Sequence, residues 1–84
     1  MEWRPDVPRW RQMYEVLEER IADGVYPPGS RLPSVVELCA EFGVAQMTAR
    51  RVLKELRDAG LAYMEPGIGT SVAPLPRPPA DLGP

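Results

Sequence analysis

From Pro8 onward, apolar side chains recur at helical spacing. Trp10, Tyr14, Leu17 and Ile21 fall at i, i+4, i+7 and i+11, one stripe along a helix, with Met13 and Val16 at its flanks. Glu15, Glu18, Glu19 and Arg20 lie off that stripe or at its edge, where a solvated face belongs. Gly24 is placed to stop the helix, which the pattern predicts over residues 9–23. Val25-Tyr26-Pro27-Pro28-Gly29-Ser30 reads as a loop with turn chemistry. Ser34 is then a good N-cap, and Glu37 three residues later completes a capping box. Val35, Leu38, Cys39 and Phe42 line one face of a second helix over 34–42, which Gly43 ends. Ala49, Val52, Leu53 and Leu56 give the cleanest amphipathic run in the chain, a third helix over 45–59 closed by Gly60.

After Gly60 the period changes. Leu61-Ala62-Tyr63-Met64-Glu65 has the length of a strand, Pro66-Gly67-Ile68-Gly69 is a turn, and Thr70-Ser71-Val72-Ala73 can return as a second strand. Two short helices joined by a tight glycine-containing turn make a helix-turn-helix, and the hairpin after them makes a wing. The fold class is therefore mostly α with a small β-hairpin, a winged helix-turn-helix of three helices plus wing. The folded unit is expected within residues 8–73, preceded by an arm at 1–7. Proline is unusually frequent, at 11 of 84 residues, and Pro74, Pro76, Pro78, Pro79 and Pro84 crowd the C-terminal end. Residues 74–84 thus read as a proline-rich, disordered or polyproline-like tail or linker.

Eighty-four residues allow one small domain. The chain has no histidine, so a triad or zinc site built on histidine is excluded. Its single cysteine, Cys39, forms no internal disulfide and falls on an apolar helix face, where it reads as a small buried hydrophobe. That suits a reducing compartment, and the cytoplasm is the expected location. No apolar run approaches the roughly 20 residues that cross a bilayer, so no membrane partner is expected. With no GxSxG, phosphate-binding glycine loop or metal-ligand cluster, the sequence predicts no enzyme and no cofactor.

The net charge of −2 and a pI near 5.0 oppose a simple nucleic-acid reading. The charge is unevenly placed, however. Residues 44–59 hold Arg50, Arg51, Lys54 and Arg57 against Glu55 and Asp58, a local +2, whereas residues 1–30 carry a local −2. At about 100° per residue, the arc opposite the third helix's apolar stripe carries Met47, Arg51 and Lys54, with Arg50 beside them. On the second helix of a helix-turn-helix, such an arc offers cations to phosphates and long donors to base edges. The plainer reading is a solvated face with i,i+4 pairs such as Lys54 with Asp58, or Arg50 held by Glu37.

The run from Ile21 to Val72 resembles the winged-helix domain of the GntR family of bacterial transcription regulators. The resemblance rests on Ile21, Gly24, Tyr26, Pro28-Gly29, Arg31-Leu32-Pro33-Ser34, Glu37-Leu38, Phe42-Gly43-Val44, Thr48, Arg50-Arg51, Leu53, Leu56, Gly60-Leu61, and Gly67-Ile68-Gly69-Thr70 with Val72. With the first helix it covers residues 8–73. It implies binding to a double-stranded DNA operator, commonly as a dimer on a palindrome and commonly as a repressor, with the third helix in the major groove and the wing on the minor groove or backbone. Members usually carry a further C-terminal effector domain, which residues 74–84 would join, so the 84 residues are expected to be either a DNA-binding fragment or a naturally short regulator.

The resemblance implies DNA contact by Arg50, the strongest base-contact candidate, and by Thr48, which can donate to phosphate; Arg51 and Lys54 read as phosphate contacts or plain solvated residues. Ser34 is first a helix cap and can also meet phosphate at the start of the second helix, Arg31 can do so from the loop, and Gly67 and Gly69 are first turn residues that, with Thr70, can bring the wing close to DNA. The family often has an arginine where this chain has Val36, and a Ser-Arg or Thr-Arg pair where it has Ala45-Gln46. Gln46 can pair with adenine and Met47 can touch a thymine methyl, so a different operator is expected. The rival reading, favoured by the acidic pI and the two missing arginines, is a non-catalytic protein-interaction module on a winged-helix frame. With its first helix committed to the core, the free chain is expected to be a monomer or weak dimer, two copies assembling on DNA.

Overall fold

The computed structural model describes residues 2–74, so all of the proline-rich segment except Pro74 lies outside the described residues. Three helices, α1 (Arg9–Ala22), α2 (Val35–Phe42) and α3 (Gln46–Asp58), are followed by strands β1 (Ala62–Glu65) and β2 (Gly69–Val72). Each helix ends one residue short of the expected limit at one or both termini. The residues involved, Asp23, Ser34, Ala45 and Ala59, are caps whose groups bond the helix while they stand half outside it.

The face that α1 buries is turned slightly from the expected stripe. Met13, Leu17 and Ile21 are in the core, while Trp10 and Tyr14 are half-buried at its edge. Met13, expected as a flank, is fully covered. Residues 4–7, expected as part of an N-terminal arm, are tied to α1 by Gln12. The buried Gln12 carboxamide accepts from the Arg4 backbone N–H at 2.9 Å and donates to the carbonyls of Arg4 and Val7 at 3.0 and 2.7 Å. Trp3 packs on the core, with the Arg9 guanidinium 5.1 Å from its ring centroid.

The capping box on α2 is complete. Ser34 Oγ accepts from the Glu37 N–H at 3.1 Å, and Glu37 Oε1 accepts from the Ser34 N–H at 2.8 Å. Gly43 ends α2 at φ 66, ψ 40, a left-handed conformation that costs glycine nothing and turns the chain into α3. Ala49, Val52, Leu53 and Leu56 of α3 are all buried, as their spacing requires. Cys39 is half-buried against the core rather than fully enclosed.

β1 and β2 pair antiparallel, from Ala62 opposite Val72 to Glu65 opposite Gly69. The chain before α2, whose residues 25–30 read as a loop in the sequence, adds a third lane. Leu32 N–H donates to the Thr70 carbonyl at 2.8 Å, Val72 N–H to the Ser30 carbonyl at 2.8 Å, and Gly29 N–H to the Val72 carbonyl at 2.9 Å. This makes β2 the middle lane, and Thr70, Ser71 and Val72 are consecutively buried instead of alternating. The wing is thereby hydrogen-bonded to the segment that leads into α2. On the opposite side, Arg20 donates to Tyr26 Oη at 2.8 Å and Glu41 Oε2 at 2.6 Å and lies 5.6 Å from the Phe42 ring centroid. The Glu41 hydrogen bond above all, then that of Tyr26, holds the guanidinium above its already high ordinary pKa.

Candidate nucleic-acid interface

The lane–wing pairing and the start of α2 form one wall of a groove, and α3 forms the other. Arg31, Ser34, Arg50, Arg57, Ile68 and Gly69 line it. Three arginines, one from the lane before α2 and two from α3, therefore line one cleft. Arg50 has no ion pair or hydrogen bond among the described residues, and Glu37 is 3.9 Å from Arg31 instead. Hydrogen bonds from the Ser34 backbone, and next from its hydroxyl, keep the Glu37 carboxyl below its ordinary pKa, with Arg31 adding to this.

The remaining cations of α3 divide differently. Lys54 donates to Asp58 Oδ2 at 2.8 Å, and that hydrogen bond, then the charge, raises its pKa. The plainer reading of Lys54 thus describes its side chain in the free protein. Arg51 points away from the groove toward α1. Its guanidinium lies 4.2 Å from the Trp10 ring centroid, and its Nε is 3.3 Å from Glu55 Oε2. Thr48 borders the same notch, beside Trp10 and Met47.

Among the other candidates, Gln46 and Met47 stand on the exposed first turn of α3, Met47 at 79% exposure. Ala45 supplies no side-chain cap, so the first N–H groups of α3 face outward with the positive end of the helix dipole. Gly67 and Gly69 take φ 79 and 122, positive values that the tight wing turn requires. A methyl group at Gly69 would come within 3.7 Å of Arg31 Nε. Thr70 is only 8% exposed and forms groove floor, its hydroxyl 4.0 Å from Met64 Sδ.

Two contributors escaped the sequence reading. Arg57 was counted as charge but not as lining; its spacing of seven from Arg50 puts it on the same side of α3 and was the available signal. Ile68 projects from the wing tip at 54% exposure, an apolar residue with no core to join. Val36, at 70%, is likewise bare on α2. Cations and bare apolar side chains thus share the surface formed by α2, α3 and the wing.

The family profile described as "Bacterial regulatory proteins, gntR family" matches residues 10–72. The chain belongs to the gntR family. It is 42% identical over 66 residues to the histidine utilization repressor of Klebsiella aerogenes, covering 79% of this chain and 27% of that protein. Against the transcriptional repressor NagR of Bacillus subtilis it is 37% identical over 67 residues, covering 80% of this chain and 28% of the relative. The chain spans about a quarter of the length of these relatives. Among solved structures, the AraR DNA-binding domain in complex with operator ORR3 superposes with a TM-score of 0.77 at 32% identity, over 87% of this chain and 88% of that one. A GntR-family regulator from Listeria monocytogenes gives a TM-score of 0.81 at 26% identity, over 86% of this chain and 63% of that one. The three helices and antiparallel hairpin are the winged helix-turn-helix of gntR-family DNA-binding domains.

Proposed function

We propose that this domain reads a DNA operator for a bacterial transcription repressor. The observation that carries the reading is Arg50: a long donor on the exposed side of α3, without an ion pair among the described residues, beside a glycine-turned wing. On this reading α3 enters the major groove. Arg50 and Gln46 meet base edges, Met47 meets thymine methyls, and the wing with Arg31 follows the adjacent backbone or minor groove. Ser34 and Thr48 serve phosphates, and Thr70 shapes the groove floor. Arg57 extends the cationic wall. Operator complexes of AraR domains support the mode of binding, and the repressors among the relatives support the sign of regulation. The role is non-catalytic, needs no cofactor and belongs in the cytoplasm.

Selection from a random duplex pool with the full 84-residue chain tests this. The expected result is a two-fold symmetric consensus whose binding weakens steeply with salt. A pool that returns no consensus, or binding indifferent to salt, would transfer the domain to the protein-interaction reading.

A further inference from the structure

α3 carries two cations that the groove does not take, and they are held in different ways. Lys54 is paired with a carboxylate and otherwise open to solvent. Arg51 is held on two sides. The Trp10 ring of α1 covers one face of its guanidinium at 4.2 Å, well inside the roughly 6 Å reach of a cation–π contact. Glu55, one turn on, takes the Nε edge at 3.3 Å. The two terminal nitrogens have no partner among the described residues, and they border a notch shared with Thr48 and Met47 at the start of α3.

We propose that Trp10 is a positioning residue for DNA binding, setting Arg51 flat against α1 so that its terminal N–H groups clamp a backbone phosphate together with Thr48. This rests on the operator-binding reading above. An arginine side chain that is free in solution loses rotamer freedom when it engages phosphate. Stacking on an indole removes most of that freedom beforehand and leaves the donor edge exposed. The carboxylate fits this arrangement, because Glu55 occupies the edge of the fork that the phosphate does not need. The contact touches backbone only, so it adds affinity without adding base preference. It also gives α1 a part in recognition: Trp10 sits at the edge of the core, half-buried, with the Arg51 guanidinium over its ring.

The test is a double-mutant cycle on the full chain, read as operator affinity at several salt concentrations, with the operator taken from the pool selection. Trp10→Leu is expected to weaken binding about two- to fivefold, the lower part of the cost of ordering one rotamer-rich side chain on binding. Trp10→Phe should keep part of it, and neither should change base preference. Arg51→Ala should lower the salt slope by less than about 1, because Glu55 already offsets part of its charge. The deciding measurement is Trp10→Leu in the Arg51→Ala background, where it should cost nothing further. An undiminished loss there would show that Trp10 acts only through packing and would overturn the proposal. If Trp10→Leu does not fold, Arg51→Lys serves in its place, since an ammonium keeps the charge but cannot lie flat on the ring; affinity equal to wild type would overturn the proposal. Failure of the wild-type chain to select any operator would instead sink the operator-binding reading itself.

Discussion

Arg50 and Lys54 stand one turn apart on α3, and their surroundings separate their roles. Arg50 has no partner to leave among the described residues, whereas Lys54 must be drawn from Asp58. Arg50→Ala is expected to cost roughly 1–3 kcal/mol against the selected operator and much less against unrelated DNA. Lys54→Ala should weaken all sequences alike, with a salt slope change smaller than about 1, because its ion pair competes with phosphate. Gln46→Arg should move the preferred base toward guanine at one position per half-site, more than it alters total affinity. Titrations of the three variants against single-base operator variants at several salt concentrations check all of this. A Gln46→Arg protein with unchanged base preference would remove Gln46 from the reading set.

At the scale of elements, α2 depends on its first turn and α1 on what precedes it. Glu37 is exposed, yet its carboxyl is held low by the Ser34 N–H. A carboxyl whose folded pKa lies below the unfolded value, near 4.3, contributes stability that is present above that value. The contribution is lost as pH falls through the depressed folded value. Glu37→Gln keeps an oxygen for the cap but has nothing to protonate. Thermal melts between pH 3 and 6 should therefore show a shallower acid limb for the variant than for the wild type. The same change removes a negative charge 3.9 Å from Arg31 of the groove and should strengthen DNA binding slightly at neutral pH. On α1, Gln12→Leu strips three hydrogen bonds from a buried site and leaves the backbone groups of Arg4 and Val7 to find other partners. A cost of about 1–3 kcal/mol is expected in denaturant unfolding, together with faster amide exchange over residues 4–7. Unchanged exchange there would show that the segment is held by Trp3 and not by Gln12.

For the whole molecule, the acidic pI and the DNA-binding reading are reconciled by separation of charge. Residues 1–30 carry a net −2, and the cations of α3 and the lane before α2 meet across the groove. The same arrangement commits the apolar face of α1 inward, where Met13 and Leu17 have no exposure left to offer a second copy. The free 84-residue chain should therefore sediment as a monomer or weak dimer at micromolar concentration, and two copies should load together on a symmetric operator. A tight dimer in the absence of DNA would point to a surface other than the α1 stripe.

Most of the secondary structure was legible because it is written in local signals. The capping box at Ser34, the glycines at 24, 43 and 60, and the 3.6-residue period of Ala49 to Leu56 each act over a turn or two of chain. The resemblance to the gntR family was legible for the same reason, as ordered short motifs. Three features were not, and each depends on residues distant in sequence. The lane at 29–32 has no strand pattern of its own and is defined by the backbone of β2. Gln12 reads as a polar surface position until residues 4–7 fold over it. Arg51 and Lys54 look equivalent on a helical wheel, but only the packing of α1 against α3 brings an indole to one of them. Periodicity and capping determined which segments form helices and which cations share a face. Tertiary packing decided which of those cations is stacked, which is paired and which stands open to a base, because each outcome is set by a neighbour that the sequence places far away.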